Sequence, residues 1–463
     1  MLRGVGALWL GQVVTKGLAF VAFAYLARKL GAQEYGAVEY AIGLATFAAL
    51  AVDGGLGSVG VRLLAQREQS VGELAALIPT AQTCIALIVA PGMVLFAWWL
   101  ANDTRAVTLV GLVAISVLML PWKQEWLFQA QQNVGPIVAS QILRSAIFAI
   151  GVIVLIGSGA DVNRVGTMEI VSVGAATLYL IIVQARSAAP VRARFAWREI
   201  LDLGREAAPI GAAAVVWASI QYAPLLMLAN MAGMVDTAYF GAAHRVGVSL
   251  VAFSWIYHFN FYPTIAQRLV ADPDAMAALT RASFRVAAWG GIGIAMALTL
   301  AAEPLLTLLF GDRFKASVPA FSVLVWTFPV TLLSGHARWI LVAARRARDM
   351  LVAQLAGGVV AIVAGALLIS RFGMVGAGVT MVLACVAIWA AAQALVTVRV
   401  RAAPLSPCLR PAALAAVIIA LAHAVDATPW IACIAGVITY GLLAPLVDRA
   451  LLHDFDRILR ARS

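Results

Sequence analysis

The sequence predicts an all-α integral membrane protein with about 14 transmembrane helices. Hydrophobic residues make up 63% of the 463 residues and charged residues only 12%, whereas an ordinary soluble domain has roughly 45–50% apolar and about 25% charged residues. Apolar runs of about 20 residues, the length that crosses a bilayer as a helix, recur along the whole chain. This composition excludes a soluble enzyme and leaves little sequence for a domain outside the membrane.

Charges, glycine and proline interrupt the apolar runs and set the predicted helix boundaries. Six predicted helices lie near residues 5–27, 37–61, 78–100, 106–128, 136–157 and 168–185. Six more lie near 208–231, 238–262, 284–309, 317–343, 351–370 and 374–397, and a final pair lies near 411–425 and 428–447. The predicted organisation is therefore two six-helix lobes followed by an additional helix pair.

Basic residues are distributed unequally between the two sets of loops that alternate across the membrane. Counted with the adjoining helix ends, the set that includes both termini holds 23 of the 33 Lys and Arg residues and the opposite set holds 7, while Lys16, Arg144 and Arg245 fall deeper inside predicted helices. Because cytoplasmic loops carry an excess of Lys and Arg, both termini are predicted to be cytoplasmic. The net charge of +11 then reports membrane orientation, and we expect no nucleic-acid partner.

A short motif between the first two helices of each predicted lobe indicates an internal repeat. The segment LARKLGAQEYGA at 26–37 is answered by LANMAGMVDTAYFGA at 228–242. A six-helix unit returns the chain to its starting side, so the lobes would be parallel repeats; chance agreement is the alternative, because Gly, Leu and Ala are abundant here. The predicted domains are an N-terminal lobe (1–185), a basic cytoplasmic linker (186–207), a C-terminal lobe (208–398) and the additional helix pair with a cytoplasmic tail (399–463).

The motifs in the chain favour a transporter without metal or cofactor. Gly55, Gly57 and Gly60 form a literal GxGxxG sequence, but they end an apolar helical run instead of following a strand, which favours close helix packing over nucleotide binding. The histidines and cysteines lack metal-ligand spacing. The sequence also lacks the nucleophile motifs of hydrolases.

Three basic residues lie deep in predicted helices, where a charge costs at least ~2.5 kcal/mol unless it faces protein or a wet cavity. They are Lys16 in the first helix, Arg144 in the fifth and Arg245 in the eighth. Cations around a central chamber would bind phosphate oxygens through charge-assisted hydrogen bonds, so we predict that these residues bind a diphosphate-bearing ligand. The alternative is a buried ion pair for each, with Glu39 and Asp53 as candidate partners.

Glu39 and Asp53 on the second predicted helix are also the candidate carboxylates for ion coupling. Intramembrane acidic residues often serve as relays for protons or as sites for cations in transporters. For Asp53, a position at the cytoplasmic end of the helix without a role in coupling is an equally good interpretation.

Two segments of the chain carry motifs of a known membrane-protein family. The first is ARKLGAQEYGAVEYAIGL followed by AVDGGLGSVGVRLLAQ, with family-motif positions at Gly31, Tyr35 and Gly36. The second is an acidic-Trp-x-Phe-Gln signature at the end of the fourth predicted helix, formed by Glu125, Trp126, Phe128 and Gln129. The chain thus resembles the Wzx-type polysaccharide flippases of the multidrug/oligosaccharidyl-lipid/polysaccharide (MOP) exporter superfamily, which have Gly where this chain has Ala130.

The resemblance covers nearly the whole six-plus-six-plus-two helix plan and implies a MATE-like fold. It further implies a multi-pass, non-enzymatic protein of the bacterial cytoplasmic (inner) membrane. Such flippases carry an undecaprenyl-diphosphate-linked oligosaccharide from the cytoplasmic to the periplasmic leaflet by alternating access, during polysaccharide biosynthesis. The implied partners are this glycan lipid and the membrane lipids, with polysaccharide polymerase machinery as a further candidate.

Three alternative functions stay open at this point. A flippase for the lipid-linked peptidoglycan precursor would share the fold and helix count. A multidrug exporter of the same superfamily normally has 12 helices and an acidic cavity, which the three helix cations argue against. A membrane polysaccharide polymerase or ligase would carry a large periplasmic loop, whereas the predicted outside loops are all short.

Overall fold

The computed structural model describes residues 2–66, 70–100, 103–157, 162–186, 192–400 and 408–460. Within these ranges every regular element is a helix, which confirms the predicted all-α fold class. The chain divides into two compact units, Met1–Ala238 and Tyr239–Ser463. The predicted lobe boundaries stay a prediction, and residues 187–191 of the linker and 401–407 before the additional helix pair lie outside the described residues.

The first unit begins with α1 (Leu2–Lys29), α2 (Ala32–Asp53), α3 (Leu56–Ala65), α4 (Val71–Leu100) and α5 (Thr104–Met119). A 3₁₀ turn at Leu120–Lys123 leads into α6 (Glu125–Ala130), α7 (Gly135–Leu155), α8 (Asn163–Ala185) and α9 (Trp197–Met231). The next helix, α10 (Met234–Ala271), starts in the first unit and continues into the second.

The second unit continues with α11 (Pro273–Leu300), α12 (Ala302–Phe310), a 3₁₀ turn at Asp312–Ser317, α13 (Val318–Leu324) and α14 (Thr327–Ala343). It ends with α15 (Ala347–Arg399), α16 (Leu409–Ala424), α17 (Pro429–Val447) and α18 (Ala450–Arg460). At 1.5 Å per residue the 53 residues of α15 would span about 80 Å. Since a hydrocarbon core is about 30 Å thick, this length fits two crossings, and the backbone breaks at Gly373 (φ 51°, ψ −129°), between the two predicted helices.

The described helices have the length and surface that a membrane requires. Ten helical segments among the described residues are long and apolar enough to cross a bilayer, so the predicted count of 14 is not confirmed. On α4 only 22% of the most apolar 18-residue window is buried, and the helix ends in Trp98 and Trp99, which are 71% and 77% exposed. Exposed apolar residues with tryptophan at a helix end are typical of a surface in contact with lipid.

Two predicted helices are interrupted in the structure. The run predicted as one helix at 37–61 breaks at Gly54 and Gly55, whose φ angles are 52° and 82°. The run predicted at 106–128 breaks at the 3₁₀ turn and at Gln124, whose φ is 43°. Both runs are still single candidate membrane spans, Ala32–Ala65 and Thr104–Ala130. The apolar pattern continues through the breaks, while left-handed backbone at single residues interrupts the helical hydrogen bonding.

The additional helix pair packs against α11 in the second unit. Ile418 and Tyr440 belong to one buried hydrophobic cluster with Trp289, and the Tyr440 hydroxyl donates to the Trp289 carbonyl at 3.2 Å. Asp448, only 2% exposed, accepts from the Trp289 indole at 3.2 Å and pairs with Arg285 at 3.1 Å. The pair is therefore held to the unit by apolar packing and by a buried ion pair.

Candidate functional site

α1 and α7 lie side by side and run in the same direction in the first unit. The Gln12 side-chain amide donates to the side-chain oxygen (Oε1) of Gln141 at 2.8 Å, which joins residues 129 positions apart. Further along both helices, the Tyr25 hydroxyl donates to the Ile156 carbonyl at 2.8 Å across 131 positions. A nearly constant offset over more than three helical turns means that the two helices keep one register.

This register brings two of the predicted cations to one level. With the offset of 129 positions seen at Gln12, Lys16 corresponds to Ser145 and thus lies beside Arg144. Lys16 is exposed, and its ammonium forms no ion pair or hydrogen bond within the part of the chain that the structure describes. The Arg144 side chain is 45% exposed, so the described part of the protein encloses neither charge.

Arg144 is also one half of an ion pair. Its guanidinium donates to a carboxylate oxygen of Glu169 on α8 at 2.5 Å, and the Glu169 side chain is only 8% exposed. Both residues line a small cavity of about 130 Å³. The other residues in its wall are Ala19, Phe23, Ile42, Ser145 and Phe148. The structure therefore gives Arg144 an acidic partner inside an otherwise largely apolar cavity.

The sequence pattern does not single out Glu169 as that partner. The sixth predicted helix begins at residue 168, which puts Glu169 at the edge of the membrane, where an acid needs no explanation. In the structure α8 begins at Asn163, so Glu169 lies nearly two turns inside the helix. Helix boundaries are the least certain part of a sequence-based assignment. Here the predicted start of the helix lies five residues too late, so the sequence does not show that Glu169 is a charge inside the helix.

Helical spacing places Lys16 next to the same cavity. Ala19 and Phe23 of the cavity wall follow Lys16 by three and seven residues, which is one face of a helix. By helix register and spacing we therefore expect Lys16 to lie near the Arg144–Glu169 pair, and the three residues together carry one more positive than negative charge. We call these three residues the cationic cluster.

The remaining predicted ligands and carboxylates occupy different places. Arg245 is half-buried on α10 and belongs to the second unit, whereas Lys16 and Arg144 belong to the first, so a chamber shared by all three stays a prediction. Glu39 is 4% exposed on α2, three residues before Ile42 of the cavity wall. That spacing puts Glu39 and Ile42 on one face of α2.

The carboxylate of Asp53 accepts hydrogen bonds at the break between α2 and α3. It accepts from the backbone N–H of Gly55 at 3.2 Å and from the Gln82 side-chain amide at 3.2 Å. Asp53 is the last residue of α2, where its carboxylate satisfies a backbone donor freed by the helix break. This geometry supports the interpretation of Asp53 as a structural residue at the helix end.

The GxGxxG sequence is a helix-packing element, as its apolar context indicates. A Cβ atom at Gly55 would lie 2.6 Å from the Ala207 carbonyl oxygen and 2.8 Å from the Gly211 nitrogen of α9. A Cβ atom at Gly60 would lie 2.7 Å from the Trp126 ring. The glycines thus let α3 approach α6 and α9 closely, which is the usual role of small residues in membrane helices.

The first group of family-motif positions shapes the turn from α1 into α2. Gly31 precedes α2 as its N-cap, with extended backbone (φ −70°, ψ 166°), and Tyr35 is completely buried. A Cβ atom at Gly36 would lie 1.8 Å from the Met234 carbonyl oxygen, where α10 begins within the first unit. Gly36 and Met234 lie in the two copies of the predicted repeat motif, so the two copies contact each other.

The second group of family-motif positions lies on α6, and its two aromatic residues are buried. Trp126 and Phe128 are 7% and 2% exposed, and Trp126 packs in a hydrophobic cluster with residues of α3, α4 and α9. Glu125 pairs with Lys123 at 2.7 Å, while Gln129 is exposed. These contacts give the motif a structural role in joining α6 to its neighbours.

Replacing Gly36 by alanine is expected to lower the melting temperature, because the added Cβ would collide with a backbone carbonyl that cannot rotate away. Overpacking of this kind costs about 1–3 kcal/mol. Thermal unfolding of the purified protein in detergent measures the effect. Gly17→Ala is the matched control, since nothing lies within 4 Å of a Cβ at Gly17; equal melting temperatures for the two variants would contradict the close approach of α2 and α10.

Comparison with known proteins gives one family match. The model of the family described as polysaccharide biosynthesis protein matches residues 1–269, which is more than half of the 463 residues. No curated protein sequence matches the chain.

Several solved structures share the fold. The lipid II flippase MurJ in an inward closed conformation is similar with a TM-score of 0.76 at 10% identity, covering 98% of this chain and 100% of MurJ. An inward-facing MATE multidrug resistance transporter of the MOP superfamily has a TM-score of 0.62 at 13% identity, covering 83% and 94%. The eukaryotic MATE transporter AtDTX14 has a TM-score of 0.57 at 12% identity, covering 90% and 99%. At these identities the similarity establishes a MurJ- and MATE-like fold.

Proposed function

Since the chain belongs to the polysaccharide biosynthesis protein family, we propose that it is a flippase of the MOP superfamily for an undecaprenyl-diphosphate-linked oligosaccharide. It carries this lipid from the cytoplasmic to the periplasmic leaflet by alternating access and catalyses no covalent step. The family membership and the MurJ- and MATE-like fold support a transporter that acts within the membrane. The undecaprenyl-diphosphate ligand is the more specific part of the proposal.

The cationic cluster is the observation that carries the proposal. Lys16 and Arg144 lie at one level on adjacent helices, and Glu169 offsets only one of their two charges. A sugar headgroup crosses hydrocarbon poorly because its hydroxyls lose their hydrogen bonds to water. A guanidinium and an ammonium side by side can hold a diphosphate through charge-assisted hydrogen bonds while the sugar stays in a polar space.

The proposed mechanism also gives roles to Arg245, Glu39 and Asp53. Arg245 of the second unit is a further proposed ligand of the diphosphate. Glu39, buried on α2 beside the cavity wall, is a candidate carboxylate for ion coupling, whereas Asp53 stabilises the helix break. The lobes at 1–185 and 208–398 rock about the linker at 186–207, with the pair at 399–463 attached to the second lobe.

The cellular location and membrane orientation are also part of the proposal. The protein is a multi-pass protein of the bacterial inner membrane with both termini in the cytoplasm, as the excess of Lys and Arg in one set of loops indicates. It hands its glycan lipid to polysaccharide polymerase machinery on the periplasmic side.

A flippase for the lipid-linked peptidoglycan precursor is the second candidate. The observation in its favour is the similarity to the lipid II flippase MurJ over 98% of the chain. Both cargoes carry a polyprenyl diphosphate, so the cationic cluster suits either one, and only the sugar discriminates between them. Deletion of the gene separates the candidates: accumulation of polysaccharide repeat units on the cytoplasmic leaflet supports the first, and accumulation of peptidoglycan precursor supports the second.

Replacing Lys16 by alanine tests the role of the cationic cluster. One charge-assisted hydrogen bond contributes about 1.5–3 kcal/mol, so transport of the diphosphate-linked oligosaccharide in reconstituted liposomes is expected to fall about 10- to 100-fold. Lys16→Arg keeps the charge and should retain most transport. Lys29→Ala, which removes an ammonium at the end of α1, is the matched control, and a Lys16→Ala variant with undiminished transport would rule out this residue as a diphosphate ligand.

A further inference from the structure

Two histidines lie buried next to each other in the second unit, and the proposed transport mechanism does not yet use them. His258 on α10 and His336 on α14 are 1% and 2% exposed. Their rings meet edge to face with 4.9 Å between centroids. They are far apart in the sequence and follow no ligand spacing, so only the packing of α10 against α14 shows that they form a pair.

His336 is held in one tautomer by its hydrogen bonds. Its Nδ1 lies 3.2 Å from the Leu333 carbonyl, and because a carbonyl only accepts, Nδ1 carries the proton. Its Nε2 therefore accepts from the Ser283 hydroxyl of α11 at 2.9 Å. The Ser283 oxygen in turn accepts from the Tyr257 hydroxyl at 2.6 Å. These bonds form a continuous chain of donors that ends on a ring nitrogen of His336.

His258 is in the same tautomer but has an unused basic nitrogen. Its Nδ1 donates to the Ser254 carbonyl at 2.8 Å, so Nε2 carries a lone pair. That Nε2 has no hydrogen-bond partner within the described ranges. The ring lies directly on the backbone of Gly335, where a Cβ atom would be 2.2 Å from its Cε1. A strong acceptor thus lacks a donor in a packed core. An unsatisfied buried acceptor lowers the stability of the fold, so its presence calls for a functional explanation.

Side chains from four helices surround the pair. Arg338 on α14, 6% exposed, places a positive charge near His258. Among the described residues, Tyr257 on α10 contacts both rings and α11 contributes Ser283. Cys385 on α15 lies near Arg338, with its thiol 3.8 Å from the Thr331 hydroxyl of α14. An imidazolium buried beside a guanidinium would lack both water and a neighbouring anion among these groups.

We propose that His258 and His336 form a proton-binding site of the second unit. The pair carries no added proton in this conformation and is protonated in another conformation that admits water to it. This inference rests on the proposed transport function and identifies the ion that drives it. A ligand shifts a conformational equilibrium by its difference in affinity for the two states. Protons therefore favour the hydrated conformation, and a pH gradient drives the cycle.

The chemistry of the pair selects a proton over other cations. Imidazole nitrogen is a poor ligand for hard cations, which take oxygen ligands. Histidine is the side chain whose unperturbed titration falls between pH 5 and 8. Two imidazoles with both Nδ1 atoms donating to backbone leave two basic nitrogens, and no group of three or more His, Cys, Asp or Glu among the described residues could hold a metal ion.

Transport in liposomes with and without an imposed pH gradient tests the inference. A gradient of about one pH unit changes the equilibrium constant of a process coupled to one proton about tenfold. Wild-type transport of the diphosphate-linked oligosaccharide should therefore rise by about that factor. His258→Asn keeps a donor near the position of Nδ1 but lacks the basic nitrogen, and it should transport at a rate independent of the gradient. His423→Gln, an exposed histidine on α16, is the matched control and should respond as the wild type does.

The outcomes separate this inference from the proposed function. Absence of transport by the wild type overturns the proposed function. Transport by the wild type with an equal gradient response in His258→Asn and His423→Gln overturns the proton site. If His258→Asn unfolds, proton uptake on addition of the lipid-linked oligosaccharide is measured with a pH-indicating dye in the wild type and in Glu39→Gln; uptake that persists in Glu39→Gln supports the histidine site, and absence of uptake in either protein overturns it.

Discussion

Replacing Arg144 by alanine is expected to reduce transport at least about tenfold, as loss of a charge-assisted bond to a diphosphate predicts, and to destabilise the protein. Removing one partner of a buried ion pair costs about 3–5 kcal/mol; the cost here should be lower, at about 2 kcal/mol, because the Arg144 side chain is 45% exposed. Glu169 would be left as a buried carboxylate without its partner. Transport in liposomes and thermal unfolding in detergent measure the two effects.

The double variant Arg144→Ala/Glu169→Ala separates a binding role from a structural one. It removes both charges, so stability should return towards that of the wild type. If Arg144 binds the diphosphate, transport stays low in the double variant. Recovery of transport together with stability would show that the pair only joins α7 to α8, and the assignment of Arg144 as a ligand would then be wrong.

The Arg105–Glu34 pair provides the matched control for this experiment. Its atoms are 3.0 Å apart, but the Arg105 side chain is 70% exposed, and exposed pairs contribute about 0–1 kcal/mol. Arg105→Ala should therefore change neither the melting temperature nor transport appreciably. An equal loss in both arginine variants would point to a general effect of removing charge.

Replacing Gly55 by alanine is expected to destabilise the protein by about 3 kcal/mol, since two costs add. The residue has φ 82°, a left-handed conformation that costs an alanine about 1–2 kcal/mol. Its Cβ would also lie 2.6 Å and 2.8 Å from backbone atoms of Ala207 and Gly211, and overpacking adds about 1–3 kcal/mol. The melting temperature of the purified protein and its level in the membrane report the loss.

Gly92→Ala in α4 is the control for Gly55→Ala. Nothing lies within 4 Å of a Cβ at Gly92, and the residue is helical and exposed, so alanine should leave the melting temperature unchanged or raise it slightly. A Gly55→Ala variant that melts with the wild type would contradict the contact of the α2–α3 break with α9. It would also reopen the question of what the GxGxxG sequence does.

Much of the helix plan follows from hydropathy alone. The boundary predicted between 370 and 374 is the site of the backbone break at Gly373, and the last predicted helix at 428–447 matches Pro429–Val447. Lipid contact demands long apolar runs with polar breaks, so the sequence carries this information locally. The breaks at Gly54–Gly55 and Gln124 escape prediction, because a local left-handed backbone leaves the apolar pattern intact.

The candidate site could be predicted only in part. The depth of Lys16 and Arg144 in apolar helices identifies both as unusual, and the polar face of Gln12 and Gln141 is visible in the sequence. The register that sets Lys16 beside Arg144 depends on how α1 packs against α7. Glu169 needs the true start of α8.

The sequence by itself determines that the protein is a helical membrane protein, which family it belongs to, and which cations cannot be explained by membrane orientation. These properties depend on the transfer of single residues or short runs between water and lipid, so they can be read without knowing the neighbours. Only the tertiary structure decides that Arg144 meets Glu169, that Gly36 meets Met234, and that His258 meets His336. Those contacts join residues distant in the sequence, and helix packing, which depends on the shapes of whole helix faces, brings them together.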